Sequence, residues 1–383
     1  MLFPRNLVVT AALLLCFTAL HGAEMKLTSP LDYEVIQRSQ ALGGVIPIVG
    51  ELSGADAIDA AIETRLSTNG KAGDWRPLAP QRDGARFALK LEAPAGGWYR
   101  LEVRAIVAGK ELASQSVEHV GMGEIFIVAG QSNSANYGEE KQTTQTGRVA
   151  AFDGNRWQLA NDPEPGAGGR GGSFMPPLGD ALVERFGVPV GFVACGIGGS
   201  SVREWLPAGA TFPNPPTVES RVRQLPSGEW ESNGAAFTRL VERMKQLGPN
   251  GFRAVLWHQG ESDAHQKAPA RTLPGNLYRT YLEKIIRESR HQIGWDAPWF
   301  VAQASYHSPS DTGAPDIREA QMALCRDGIA LEGADSDAIR GELRENHGQG
   351  VHLTGPGLRQ HAALWAAKVG PWLQGQLGHP SKE

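Results

Sequence analysis

The chain has 383 residues, of which 37 are Lys or Arg and 41 are Asp or Glu, so its formal net charge is −4. That balance excludes nucleic-acid binding driven by charge, because no basic excess is present to displace phosphate counterions. With 41% hydrophobic and 20% charged residues, the composition is typical of a soluble globular protein. The length predicts two to three domains at about 150 residues each.

The first segment, residues 1–23, has the build of a secretory signal peptide. Arg5 precedes an apolar run from Leu7 to Leu20, and the small residue Ala23 ends the segment. The run is shorter than the roughly 20 residues of a membrane-spanning helix. We therefore expect a secreted or periplasmic protein with no stable membrane insertion after cleavage. The cleavage site stays open, and an uncleaved anchor is the alternative.

Only two cysteines, Cys195 and Cys325, follow this segment. Two cysteines cannot form a disulfide framework. A chain of about 360 residues can bury a large core without one. The sequence leaves open whether they pair or stay as thiols.

Residues 24–120 carry strand signals. Phe87, Leu89 and Leu91 alternate with less apolar residues, and the stretch 99–107 alternates in the same way. Turn-forming pairs such as Asn69-Gly70 separate these runs. Period-two runs spaced by turns predict a small antiparallel β-sandwich, an Ig-like domain of residues 24–120.

After Gly121 the pattern changes to continuous apolar runs separated by helical periodicity. The predicted strands are Glu124–Ala129, Val188–Cys195, Phe252–Trp257 and Trp299–Ala304, and the predicted helices cover 237–244, 277–286 and 358–372. This alternation predicts an α/β domain over residues 121–376 with a parallel sheet, which binds ligands at the carboxyl ends of its strands. Residues 377–383 would form a tail. The stretches 166–177 and 207–229 are interpreted as surface loops near that rim.

Three of these strands end in residues that can carry chemistry. Ser132 follows the first strand, where a tight turn would expose its hydroxyl as a nucleophile or use it as a helix N-cap. The glycine-rich stretch 195–201 could aim amides at an oxyanion, or could be only a tight turn. After the third strand, Gln259 offers an amide donor, and Glu261 and Asp263 offer carboxylates. The histidines beside them lack the spacing of a metal site.

A serine nucleophile needs an imidazole to take its proton. His352 is the best-placed candidate, because it lies in a glycine-rich loop just before the last predicted helix. Such a loop can reach over the strand ends. His307 and His347 are weaker candidates.

Four motifs together carry a family resemblance. GQSN at 130–133, GIGGSS at 196–201, HQGES at 258–262 and VHLTGPG at 351–357 occur in the block order of an SGNH (GDSL-type) hydrolase. More closely, the chain resembles the sialate O-acetylesterase-like domain, which is related to carbohydrate esterase family six. The resemblance implies a three-layer α/β/α fold, removal of O-acetyl groups from carbohydrates, and neither a metal nor another cofactor.

The resemblance also implies roles for individual residues. Ser132 matches the family's nucleophile and His352 its base. The amide of Gly199 and the side chain of Gln259 would hold the oxyanion, together with the amide of Ser132.

One position departs from the pattern. The wider superfamily has an aspartate three residues before the histidine, whereas this chain has Gln349 there. A glutamine cannot stabilise an imidazolium as a carboxylate does. In some relatives the glutamate of HQGE takes this role, so Glu261 is the first choice. Asp263 is the second, Asp335 and Asp337 are remoter options, and a Ser-His dyad is the remaining alternative.

The predicted function is therefore that of a secreted serine carbohydrate esterase acting on an acetylated carbohydrate. Sialic acid, xylan and other acetylated glycans all fit. Arg170, Arg203 and Trp205 could contact the sugar or be structural. A non-catalytic carbohydrate-binding protein on the same scaffold is the alternative function, and the oligomeric state stays open.

Overall fold

The computed structural model describes residues 23–54, 57–310 and 313–378. The predicted signal peptide lies outside the described residues except for Ala23, as do the last five residues of the predicted tail. Within the described ranges, no helix combines the length and the apolar character that crossing a membrane requires.

The first part of the chain consists of strands. They are β1 (Glu24–Ser29), β2 (Glu34–Gln37), β3 (Gly43–Ser53), β4 (Ala61–Thr68), β5 (Lys71–Ala72), β6 (Arg76–Leu78), β7 (Gln81–Asp83), β8 (Arg86–Pro94), β9 (Gly96–Val107) and β10 (Lys110–Gly130). One sheet has the order β1-β3-β8-β7, while β4 and β9 pair antiparallel in another. Alternate residues such as Ile48, Leu89 and Leu101 are buried in one apolar cluster. The two alternating runs predicted as strands lie in β8 and β9.

The rest of the chain alternates strands and helices. These are β11 (Val149–Phe152), β12 (Trp157–Leu159), α1 (Met175–Phe186), β13 (Val190–Ala194), β14 (Thr211–Phe212), β15 (Val222–Gln224), β16 (Trp230–Ser232), α2 (Ala235–Gln246), β17 (Ala254–His258), α3 (Gly275–Ile293), β18 (Trp299–Gln303), α4 (Pro315–Arg326), β19 (Leu331–Asp335), α5 (Glu345–Gly348) and α6 (Gly355–Gly378). The large sheet runs β12-β11-β13-β10-β17-β18-β19. Neighbours from β11 through β19 are parallel, and β12 is antiparallel to β11. The four predicted apolar strands are present, and the α/β class is confirmed.

The large sheet is covered on two faces. Ile125 and Ile127 of β10 belong to one apolar cluster, which includes residues of α2, α3 and α4. Phe126 and Val128 belong to another, which includes residues of α1 and α6. Because successive side chains of a strand point to opposite faces, a strand buried on both sides is continuously apolar. This is why the run was recognisable in the sequence.

Strand β10 joins both parts of the molecule. Its first half pairs antiparallel with β9, and its second half pairs parallel with β13 and β17. The predicted domain boundary between residues 120 and 121 falls inside this one strand of 21 residues. The change of periodicity there reflects burial, because the side chains of β10 are partly exposed before residue 120 and fully buried from there on. The backbone of the strand continues through this point without a linker.

Several elements differ from the predictions. Helix α1 begins at Met175, inside the stretch interpreted as a loop, because prolines are tolerated in the first turn of a helix. The second predicted loop, 207–229, contains β14 and β15, which pair with β16 in a small sheet. Helix α6 continues to Gly378, beyond the predicted start of the tail.

The two cysteines whose state the sequence left open are free thiols. Cys195 is buried and Cys325 is half-buried. Burial raises the pKa of each thiol to about 11, so both are protonated at neutral pH.

Candidate active site

Ser132 lies directly after the carboxyl end of β10, in a short 3-10 turn of residues 132–134. Gly130, the last residue of the strand, has a φ of +125°, and a Cβ there would lie 2.0 Å from the carbonyl oxygen of His258. Only glycine allows this approach. The serine is 5% exposed and lies at the sheet rim, where ligands of parallel sheets bind.

Both neighbours of Ser132 are held by the loop that follows β17. Oε1 of Gln131 accepts hydrogen bonds from the amides of Ser262 (2.9 Å) and Gly260 (3.3 Å). Nδ2 of Asn133 donates to Oε1 of Glu261 (2.9 Å). We call these contacts the Ser132 clamp. They join the GQSN motif to the HQGES motif in space.

Asn133 also ties the serine to the predicted base. Its Nδ2 donates to the carbonyl oxygen of Val351 (3.2 Å), the residue before His352. The amide of Glu139 donates to the carbonyl oxygen of Leu353 (2.9 Å), the residue after it. The bond from Asn133 therefore holds the segment that precedes His352 against the Ser132 turn.

The imidazole of His352 has two neighbours. Its Nδ1 lies 2.8 Å from Oε1 of Glu345, and its ring stacks on that of Tyr137 with the centroids 5.4 Å apart. The side chain of His352 is 22% exposed, so it is partly accessible to solvent. Neither Glu345 nor Tyr137 was identified in the sequence, because neither belongs to one of the four motifs.

The weaker histidine candidates are placed differently. Nε2 of His307 lies 2.8 Å from the carbonyl oxygen of Ala264. His347 is exposed, with a φ of +55°.

Glu261 lies in a different environment from the predicted one. Its Oε1 contacts His258 Nε2 (2.9 Å) and Asn133, and its Oε2 has no hydrogen-bond partner among the described residues. Burial would raise the pKa of this carboxyl, but the His258 charge and the hydrogen bonds from His258 and Asn133 lower it to about 2. Glu261 is thus an ionised anchor for Asn133, and it makes no hydrogen bond to His352.

Two buried histidines, His258 and His361, lie next to Glu261, and His258 contacts it. Nε1 of Trp365 donates to Nε2 of His361 (3.0 Å), which makes that nitrogen an acceptor. Nδ1 of His258 lies 3.1 Å from the same nitrogen, and Nε2 of His258 lies 2.9 Å from Oε1 of Glu261. Through Glu261, the histidine pair supports the Asn133 contact of the Ser132 clamp.

Gln259 does not fit the predicted role of oxyanion donor. It is fully buried, and its Nε2 lies within 2.6 Å of Oδ2 of Asp263 and 3.2 Å of the carbonyl oxygen of Ser200. An amide nitrogen has two hydrogens. Both have acceptors inside the protein, so neither is left for a substrate.

The glycine-rich loop after β13 packs tightly on the Ser132 turn. A Cβ at Gly196 would lie 2.5 Å from Oγ of Ser134, and one at Gly198 would lie 2.2 Å from the hydroxyl of Tyr137. Gly199 has a φ of +67°. The loop that contains Gly199 therefore lies against the turn that contains Ser132.

The remaining predicted carboxylates bind groups other than His352. Asp263 binds Ser201 Oγ (2.5 Å) and the Arg203 guanidinium (3.2 Å). Asp335 and Asp337 both pair with Arg318, at 2.8 and 2.9 Å. Each of the three is committed to another partner.

The three side chains suggested as sugar contacts differ in their exposure to solvent. Arg203 is fully buried, and Trp205 is 1% exposed with its Nε1 donating to Ser200 Oγ (2.8 Å). Both are therefore structural. Arg170 is exposed, on the loop in which the amide of Gly171 donates to the carbonyl oxygen of Asn136 (2.8 Å). Of the three, only Arg170 can meet a substrate.

Comparison with known proteins identifies the family of this chain. A family model described as carbohydrate esterase, sialic acid-specific acetylesterase, matches residues 122–369. A probable carbohydrate esterase of Arabidopsis thaliana is 24% identical over 229 residues, which cover 52% of this chain and 75% of that protein.

Among solved structures, a carbohydrate acetylesterase from Xanthomonas citri superposes with a TM-score of 0.52 at 20% identity. The match covers 88% of this chain and 72% of the other. At this identity the likeness concerns the fold. The family model, in contrast, spans well over half of the chain and includes Ser132, Gly199 and His352. The chain therefore belongs to the carbohydrate esterase family of sialic acid-specific acetylesterases, and it is a carboxylic ester hydrolase.

Proposed function

We propose that the protein removes O-acetyl groups from carbohydrates through an acetyl-serine intermediate on Ser132. The observation that carries this proposal is the hydrogen bond from Asn133 to Val351, which joins the residue after Ser132 to the residue before His352. A non-catalytic carbohydrate-binding protein would not need this coupling. Membership of an esterase family favours the hydrolase further.

The mechanism follows from the groups at the rim. His352 takes the proton of Ser132 Oγ while that oxygen bonds to the acetyl carbonyl carbon. The tetrahedral intermediate collapses, the bond to the sugar oxygen breaks, and the imidazolium returns its proton to that oxygen. Water, deprotonated by His352, then attacks the acetyl-serine. Acetate leaves, and the serine hydroxyl is restored.

The oxyanion would be held by backbone amides. Those of Ser132 and Gly199 are the donors we assign, each worth about 3 kcal/mol by analogy with other oxyanion donors. Gln259 is excluded from this set by its internal acceptors. Its fixed position instead supports the loop that carries the Ser132 clamp.

The wider organisation is part of the proposal. Residues 24–120 would form an accessory β-sandwich with its own apolar cluster, ahead of a three-layer α/β/α esterase domain over residues 121–376. The substrate would be an acetylated glycan such as a sialic acid or a xylan, met in the periplasm or outside the cell after cleavage of the signal peptide. No cofactor enters the mechanism.

Acetate release tests the activity directly. We expect the purified protein to release acetate from acetylated sialic acid or acetylated xylan, and acid quenching during turnover to leave one acetyl group on the peptide that contains Ser132. Mass spectrometry of that peptide checks the intermediate. No acetate from any member of a panel of acetylated glycans would contradict the proposed function. Turnover with an acetyl group on another residue would contradict the assignment of Ser132.

A further inference from the structure

A carboxylate from an unexpected position contacts the proposed base. The superfamily pattern places an aspartate three residues before the histidine, but that position here is Gln349. Instead, the side chain of Glu345 meets Nδ1 of His352 at 2.8 Å. We propose that Glu345 is the positioning residue for His352 in this enzyme. The inference rests on the proposed function, since it assigns the third group of the same site.

The geometry fixes the imidazole in the form that catalysis needs. Oε1 of Glu345 accepts a hydrogen bond from the backbone amide of His352 (3.0 Å) and lies 2.8 Å from Nδ1 of the same residue. A carboxylate that accepts a hydrogen bond from the Nδ1–H group favours the tautomer in which Nε2 is unprotonated and can take a proton from a serine. The negative charge also stabilises the imidazolium that then forms.

The loop is built to bring this side chain back to His352. The amide of Glu345 donates to the carbonyl oxygen of His352 (3.0 Å), and the amide of Gly350 donates to the carbonyl oxygen of Glu345 (2.9 Å). Asn346 and His347 have φ values of +54° and +55°, which reverse the chain between the two partners.

Gly350 supplies the space for the carboxylate. A Cβ at this position would lie 2.0 Å from Cγ and 2.7 Å from Oε1 of Glu345. Any other residue at 350 would displace the Glu345 side chain. A glycine here and a glutamate at 345 therefore depend on each other.

The preceding residue anchors the loop to the protein interior. Arg344 is buried, and its guanidinium donates to the carbonyl oxygens of Ile339 (2.7 Å), Ser336 (2.6 Å) and Val351 (2.6 Å). Charged donors bound to three carbonyls hold the backbone on both sides of Glu345. The carboxylate is thus held against the ring before a substrate binds.

The kinetic test replaces Glu345 by Gln, which keeps its length and removes its charge. We expect kcat for acetyl-ester hydrolysis to fall by about 10²-fold or more, with KM within about twofold, because the lost interaction stabilises the imidazolium of the transition state. Glu342→Gln, the same change at an exposed position of the same loop, should leave both constants unchanged. Full activity in Glu345→Gln would overturn the assignment while leaving the proposed function intact. An inactive wild-type enzyme would instead remove the proposed function.

A spectroscopic test does not depend on turnover. The Nδ1 proton of an imidazole bound to a carboxylate gives a low-field proton NMR signal, and the His352 signal is identified by its loss in His352→Ala. We expect that signal to be lost in Glu345→Gln and retained in Glu261→Gln. Its persistence in Glu345→Gln, or its loss only in Glu261→Gln, would refute the proposal. If Glu345→Gln does not fold, Gly350→Ala tests the same contact by displacing the carboxylate, with the same expected losses.

Discussion

Replacing Ser132 by Ala is expected to lower kcat/KM for p-nitrophenyl acetate by about 10³-fold or more. In the proposed mechanism, this hydroxyl is the group that bonds to the acetyl carbon. The variant should fold normally, because the clamp is made by the side chains of Gln131 and Asn133 and does not involve Oγ of Ser132.

The matched control is Ser114→Ala. Ser114 lies on the same strand, β10, but in its exposed first half, where its Oγ donates to Glu111 (2.7 Å). We expect activity indistinguishable from wild type. Circular dichroism of both variants checks the fold. Equal rates in Ser132→Ala and wild type would end the serine-esterase interpretation, whatever the control shows.

The second large effect is on stability. Glu124, fully buried on β10, pairs with Arg38 (2.6 Å) from the N-terminal strands and with Arg253 (2.7 Å) next to β17. Glu124→Gln leaves two guanidinium groups without their counterion, and Arg38 is itself only 4% exposed. We expect a loss of about 3–5 kcal/mol in the free energy of unfolding, because an uncompensated buried charge is strongly destabilising. Urea unfolding followed by tryptophan fluorescence measures it.

Glu63→Gln serves as the comparison. Glu63 pairs with Arg104 at 2.7 Å, but the two side chains are 24% and 27% exposed. A pair this accessible to water contributes about 0–1 kcal/mol. Similar urea midpoints for Glu124→Gln and Glu63→Gln would show that the buried cluster contributes no more than a surface pair.

The fold was predictable where burial leaves a simple pattern. The run Ile125–Ala129 of β10, buried on both faces, is continuously apolar, and α2 and α3 carry one apolar stripe each. The short strands β11, β12 and β19 have only three to five residues and no distinct periodicity. Helix α4 begins at Pro315 and places only four buried residues among charged ones, so its amphipathic signal is weak.

In the candidate site, too, only the residues that lie in local sequence motifs could be predicted. Ser132 and His352 lie in local motifs whose backbone requirements, such as the approach of Gly130 to His258, are visible as glycines. The partner of His352 could not be predicted, because Glu345 reaches it through a chain reversal at two residues other than glycine. The orientation of Gln259 depends on Asp263 and Ser200, and the latter is distant in sequence. One sequence signal pointed to an unusual partner for His352. Gly350 lies next to Gln349, which replaces the aspartate of the superfamily pattern.

The continuity of β10 limits how the molecule can move and how it can be taken apart. Its 21 residues run without a break from the hairpin with β9 to Gly130, two residues before Ser132. Because this one strand pairs with β9 in its first half and with β13 and β17 in its second half, we expect little hinge motion between the two parts. A truncation at residue 121 would divide β10 and leave backbone groups of its partner strands without hydrogen-bond partners. The accessory strands and the esterase core are therefore expected to unfold in one transition and to resist separation by limited proteolysis.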